Sequence, residues 1–249
     1  MSSTDFEKKV AIVTGAASGV GLEVTRLLAE RGASIVAVDI APAVSDLRGE
    51  SVIAIEGDVS VAATAERAVE AATSRFRRVD VLVCNAGYIV WKPIVETTED
   101  EWDRVMAVNA KGMFLTCRAV IPVMERQGGC AIVATASISG VVGLPHQSAY
   151  SASKGAIVQL TRQLAIECAS ARIRVNAVAP GAIDTQFLRQ LVDSTEDPAG
   201  LTAAIAADHP LGRIASADEI ARSILFLASD EAAFITGTVL MVDGGYSAK

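Results

Sequence analysis

The chain has 249 residues, of which 51% are hydrophobic and 20% charged, and its formal net charge is −7. That length admits one large α/β domain or two small ones, and the apolar content excludes an intrinsically disordered chain. The acidic balance argues against general nucleic-acid binding and leaves a small-molecule partner open.

Short apolar runs alternate with longer helical patterns. In chain order the runs VAIVT (10–14), SIVAVD (34–39), SVIAIEG (51–57), VDVLVCNA (79–86), CAIVATAS (130–137), IRVNAVAP (173–180) and TVLMVDGG (238–245) read as strands. They are nearly continuous apolar runs, as parallel strands buried on both faces require. GLEVTRLLAERG and TAERAVEAATSRF read as helices between them, with Gly32 and Gly49 marking exits. The alternation predicts a single-domain α/β fold: a doubly wound, Rossmann-type parallel sheet with helices on both faces. No linker or repeat divides residues 1–249. The Asp-, Thr- and Pro-interrupted stretch at about 184–215 predicts a mobile helical flap over a site.

Cys84, Cys117, Cys130 and Cys168 show no C-x-x-C spacing, which predicts buried thiols in a reducing compartment. His146 and His209 stand apart from any cysteine pair, so no zinc site is expected. The opening MSSTDFEKKV lacks the apolar core of a signal peptide. No run of about 18 apolar residues is present. The expectation is a cytoplasmic protein without membrane contact.

TGAASGVG (14–21) follows the first strand and opens the first helix. Gly15, Gly19 and Gly21, with Ser18 and Val20 between them, allow a tight turn and close approach to a pyrophosphate. The helix N-terminus then supplies N–H donors. The spacing is G-x3-G-x-G, and its place between a strand and a helix is what gives it meaning. Asp39 ends the second strand, where a carboxylate can bind the ribose hydroxyls of NAD and repel a 2′-phosphate. Neither Ser18 nor Ile40 is basic, so no partner for NADP is evident. Asp39 could instead cap the following turn. Asp58 and Val59 could frame the adenine, or Asp58 could be a helix N-cap.

Taken with Asn85-Ala86-Gly87, Asn109, Ser137 and YSASK (150–154), this loop resembles that of the short-chain dehydrogenase/reductase family. The resemblance runs from Val10 to the terminal VDGG. It implies that Tyr150 is the general acid/base, that Lys154 lowers its pKa and anchors the nicotinamide ribose, and that Ser137, 13 residues earlier, holds the substrate oxygen. Ser139 is the neighbouring, weaker candidate. Asn109 corresponds to the asparagine that ties the lysine to a water chain. Asn85, Ala86 and Gly87 correspond to the segment beside the cofactor. Pro180, Gly181, Ile183 and Thr185 correspond to the stretch at the nicotinamide end. Read singly, Ser137 is a strand-end hydroxyl, Asn109 a surface polar residue or a helix interruption, and Lys154 a solvated helix residue.

A phenol of pKa about 10 needs about 3 units, or roughly 4 kcal/mol, to reach neutrality. An ammonium about 4 Å away at an effective dielectric of about 20 supplies roughly that. Lys154 alone is thus sufficient in scale, and an oxidised nicotinamide, also positive, would push the same way. Ile138, Val142, His146, Trp91 and Phe187 join Ser137 and Tyr150 as substrate-side candidates. Their apolar majority points to a small, mainly apolar or cyclic secondary alcohol or ketone, and His146 is the polar exception that could orient substrate or be merely solvated. The leading expectation is therefore an NAD-dependent alcohol dehydrogenase or ketone reductase with no metal. Its rivals are a 3-oxoacyl-carrier-protein reductase using NADPH and a non-catalytic nucleotide sensor. The resemblance also implies a homotetramer.

Overall fold

The computed structural model describes residues 5–47 and 49–249, so residues 1–4, on which part of the leader reading falls, lie outside it. Among the described residues, seven strands form one parallel sheet in the order β3-β2-β1-β4-β5-β6-β7. They are β1 (Val10–Thr14), β2 (Ser34–Asp39), β3 (Val52–Glu56), β4 (Val81–Cys84), β5 (Ala131–Thr135), β6 (Arg174–Pro180) and β7 (Val239–Val242). The expected runs at 51–57, 79–86, 130–137, 173–180 and 238–245 shorten because their flanks leave the sheet to build turns and the site.

Every residue of β1 is buried. Successive side chains point to opposite faces, so a strand covered on both faces must be apolar throughout. Val10 and Ile12 join a core with helices α2 (Ala62–Phe76), α4 (Gly112–Gln127) and α5 (Ser148–Glu167). Ala11 and Val13 join a second core with α1 (Gly19–Glu30) and α8 (Ala217–Ala228). The β2–β3 connection carries only a 3₁₀ segment, Pro42–Leu47. Gly32 takes φ +86 at the exit of α1, whereas Gly49 sits in a turn that pairs with Val52.

The helical stretch around Asn109 comprises three segments. Helix α3 (Glu99–Met106) opens on a capping box between Thr98 and Glu101. A π-helical turn, Ala107–Lys111, follows and leads into α4. The stretch at 184–215 holds α6 (Gln186–Asp193) and α7 (Pro198–Ala207), neither with a fully buried residue. No helix among the described residues is long and apolar enough to cross a membrane.

The strand order reverses beside β1, where the chain goes outward to β2 and then returns to β4. A crevice opens at such a switch point beyond the carboxyl ends of the strands. The glycine loop, Asp39, Asn85, Ser137 and Pro180 all lie at or just past those ends.

Candidate active site

The glycine loop is tight for a stated steric reason. Gly15 has φ +67, and a Cβ there would stand 2.8 Å from the Ala86 backbone. A Cβ on Gly21 would overlap the Gly15 carbonyl oxygen. Gly19 has φ +52 and faces the Thr185 side chain. Ser18 is the N-cap of α1 and Thr185 that of α6; neither side chain makes a capping hydrogen bond, and neither first turn carries an acidic residue. Two helix N-termini with open backbone donors thus meet at one place, which favours an anion. Asp39 faces the same loop: its carboxylate accepts from Ala17 N–H and Ala41 N–H, both at 2.9 Å. The Ala41 bond is the turn-capping role weighed above, and the Ala17 bond adds a tether on the glycine loop. Its oxygens keep further lone pairs. Ile40 is exposed beside it.

Asp58 is not a helix N-cap. It closes a turn on Ser60 N–H at 2.8 Å, and Val61 precedes α2. Val59 turns its buried side chain toward Gly112, so only its backbone is free to border a ligand. Asn85 stitches the sheet ends together. Its amide donates to the carbonyls of Thr14 and Gly15, and its carbonyl accepts from Thr135 Oγ1. Thr14 Oγ1 in turn accepts from Asn85 N–H and Ala86 N–H.

Asn109 is 1% exposed, inside the π turn. Its Oδ1 accepts from Tyr88 N–H at 2.7 Å, and its Nδ2 donates to Tyr88 O and to Ser153 Oγ. Ser153 Oγ donates on to Tyr150 O at 2.7 Å. Asn109 therefore holds both the segment after Gly87 and the first turn of α5. Gly87 lies between Asn109 and Lys154: a Cβ there would stand 3.6 Å from Asn109 Oδ1 and 3.7 Å from Lys154 Nζ.

Ser137, Tyr150 and Lys154 converge as the spacing predicts. Ser137 lies near enough to Tyr150 to bear on its phenol. The Ser137 hydroxyl also reaches Ser139 Oγ at 3.3 Å, and Ser139 Oγ donates to Gln147 at 2.7 Å. Lys154 is 3% exposed, its Nζ lies 5.4 Å from the Tyr150 ring centroid, and it donates to the Thr135 carbonyl at 2.7 Å.

The expected tuning by Lys154 alone does not hold among the protein's own groups. Burial pushes the Tyr150 phenol up to about 12, with the Ser137 hydroxyl pulling the other way. Burial pushes Lys154 down to about 8. Both shifts have one cause, because a low-dielectric site disfavours whichever form is charged. The Coulomb sum from sequence contained no desolvation, and here desolvation is the larger effect.

Pro180 ends β6, and the loop 181–185 is tied on two sides. Ala215 N–H donates to Ala182 O, and Asp184 N–H donates to Ala215 O. On the other side Ala182 N–H donates to His209 Nε2 at 3.1 Å. Of the substrate-side candidates, Ile138 is buried, Val142 half-buried, and Trp91, His146 and Phe187 exposed. His146 has φ +60 and its carbonyl accepts from Lys92 N–H. Thr14, Thr135, Gln147 and Ser153 were given no role from sequence, and His209 was weighed only as a zinc ligand. Thr14 and Ser153 stand inside the motifs TGAASGVG and YSASK, whereas Thr135, Gln147 and His209 carry no local signal. No group of three or more metal-ligating side chains is present among the described residues.

Residues 15–247 match the family model described as enoyl-(acyl carrier protein) reductase. The chain is 41% identical to cis-4-hydroxycyclohexanecarboxylate dehydrogenase of Sinomonas cyclohexanicum, over 98% of each chain. It is 40% identical to cyclopentanol dehydrogenase of Comamonas testosteroni, over 97% of this chain and 98% of that one. It is 39% identical to a 3-oxoacyl-[acyl-carrier-protein] reductase of Thermotoga maritima, over 96% and 98%. Among solved structures, levodione reductase superposes with a TM-score of 0.92 at 36% identity, covering 98% of this chain and 99% of that one. On this full-length match and the strand order already described, the chain belongs to the short-chain dehydrogenase/reductase family of oxidoreductases.

Proposed function

We propose that this protein is an NAD(H)-dependent oxidoreductase that interconverts a small, mainly apolar or cyclic secondary alcohol and its ketone. The observation that carries the reading is the convergence of Ser137, Tyr150 and Lys154 beside the glycine loop, at the carboxyl ends of β1, β4 and β5. The dinucleotide fit rests on three features: a cradle at Gly15 and Gly21 that a Cβ would fill, two uncapped helix N-termini, and a carboxylate on the loop. When bound, an oxidised nicotinamide supplies a hydride acceptor and a positive charge. Ser137 Oγ and the Tyr150 phenol oxygen hold the alcohol oxygen between them. Tyr150, as phenolate, takes the alcohol proton as hydride leaves the carbon, and as phenol returns it in the reverse direction. Lys154, fixed on Thr135, sets the field at the phenol oxygen and anchors the ribose. Asn109 holds the backbone on both sides. Asp39 favours ribose hydroxyls over a 2′-phosphate.

The cyclic-alcohol reading draws on the names of two relatives and on the apolar candidates around Ser137. The carrier-protein reductase reading is kept because of the third relative and the family model; Asp39 counts against its NADPH. A homotetramer within the cytoplasm is the assembly and location we infer from the same resemblance.

The test follows absorbance at 340 nm with NAD and NADP across cyclopentanol, hydroxycyclohexanecarboxylates and open-chain secondary alcohols, and with an acetoacetyl thioester and NADPH in reverse. NAD-linked oxidation of a cyclic alcohol is expected, and Tyr150→Phe should lose nearly all of it while binding NAD as before. A tenfold preference for NADPH would sink the role given to Asp39, and an active Tyr150→Phe the acid/base role.

A further inference from the structure

His209 lies two residues past the end of α7, far in sequence from the catalytic set, yet it is 5% exposed and both its ring nitrogens are engaged. Nε2 is 3.1 Å from Ala182 N, and Nδ1 is 2.8 Å from the Ile205 carbonyl oxygen. A backbone N–H can only donate and a carbonyl can only accept. Nε2 must therefore offer a lone pair while Nδ1 carries the hydrogen. The ring lies so close to Gly181 that a Cβ there would stand 2.5 Å from Nε2. Tyr246 closes the other side, its ring centroid 5.3 Å away.

We propose that His209 is a positioning residue: in its neutral Nδ1–H form it fixes the loop Gly181–Ile183 and links that loop to the end of α7. The inference rests on the reading of this loop as the contact for the nicotinamide end of a dinucleotide. The geometry gives the imidazole a task that no apolar side chain could do. Without it the half-buried Ala182 N–H would lose its acceptor on the protein. Ala215 already pins the other edge of the loop through Ala182 O and Asp184 N–H. His209 and Ala215 together leave the loop one orientation, with the groups of Ile183 turned where the two ties place them. Because Ile205 belongs to α7, the same ring sets where the 186–208 segment ends relative to the cofactor loop.

Two near-isosteric variants separate the two bonds. In His209→Gln, Oε1 can replace Nε2 as the acceptor for Ala182. In His209→Asn, Nδ2 can replace Nδ1 as the donor to Ile205, and Ala182 loses its acceptor. Binding is read by calorimetric titration with two probes: NADH, and ADP, which carries only the adenosine half. His209→Asn is expected to weaken NADH about tenfold, or about 1.4 kcal/mol, and to leave ADP within twofold. His209→Gln is expected to recover most of the NADH affinity. Equal NADH affinities for the two variants would overturn the proposal, as would an equal loss of ADP and NADH in His209→Asn. If the wild-type protein binds neither probe, the dinucleotide reading itself fails and takes this inference with it. If ADP binds normally and only the Asn/Gln contrast is missing, the dinucleotide reading stands and the inference alone falls.

Discussion

Lys154 is held where an ammonium is poorly solvated. Its pKa falls from an ordinary value near 10.5 to about 8 because of burial. Between those two values the unfolded chain carries a proton that the folded chain does not, so stability rises with pH across that window. The cost is therefore absent above about 10.5 and complete below 8, where a shift of that size is worth about 3 kcal/mol. Lys154→Met removes the charge but leaves the Thr135 carbonyl without its donor, so its absolute effect on stability is mixed. Its pH dependence is not. Urea unfolding at pH 7 and pH 10 should show the variant gaining on wild type at the lower pH, while turnover is lost. An unchanged gap would mean that burial does not govern this lysine. Tyr150 carries the opposite sign: its raised pKa leaves stability intact below pH 10 and erodes it as pH climbs toward 12. The pairing of these residues was legible from a four-residue spacing. The direction of both shifts was not, because desolvation depends on the β5 and α5 atoms packed around them rather than on the motif.

At the scale of elements, the π turn 107–111 does what no α-helix in its place could. A π turn is an α-helix with one extra residue, and such insertions recur at functional sites. Here the extra residue turns Asn109 inward, to Tyr88 on one side and Ser153 on the other. Deleting Ala110 should close the turn into an ordinary helix and swing Asn109 away. The expected outcome is a folded protein, by circular dichroism, whose turnover drops about 10²-fold, the scale of loss that a 1 Å misplacement produces. Wild-type turnover in the deletion variant would remove the π turn from the mechanism. The sequence pattern around Asn109 reads as one uninterrupted helix because apolar spacing changes little across a single insertion. The helix exit at Gly32 was readable for the opposite reason: its dihedrals are set by residues within a few positions. The pair Ala182–His209 and the pair Lys154–Thr135 come from separate strands and loops, and nothing in local spacing announces them.

At the scale of the whole molecule, several large apolar side chains face outward. Phe234 is fully exposed, and Val95 and Ile166 are largely so. The loop that carries Phe234 lies on α5: a Cβ at Gly237 would meet Ala165 at 3.4 Å. Exposed aromatic and aliphatic groups of this kind are buried when copies assemble. For the homotetramer proposed above, light scattering should give about four times the 25.9 kDa chain mass, and Phe234→Arg should give a smaller species. A wild-type mass near one chain would exclude the tetramer. The doubly wound order was legible because strands buried on both faces are written as unbroken apolar runs, and glycine-marked exits separate them. Which outer faces meet a second copy was not, because a surface apolar residue looks the same in sequence as a core one. The whole-fold view also changes the meaning of Asp39. On the coenzyme reading proposed above, its carboxylate would be a strut as well as a recognition group, since it suspends Ala17 of the glycine loop. A lineage that traded this acid for a basic residue to accept a phosphorylated coenzyme would lose the strut in the same mutation. If Asp39 sets coenzyme choice as proposed, that choice is coupled to loop architecture, and a switch needs a second change that re-anchors Ala17.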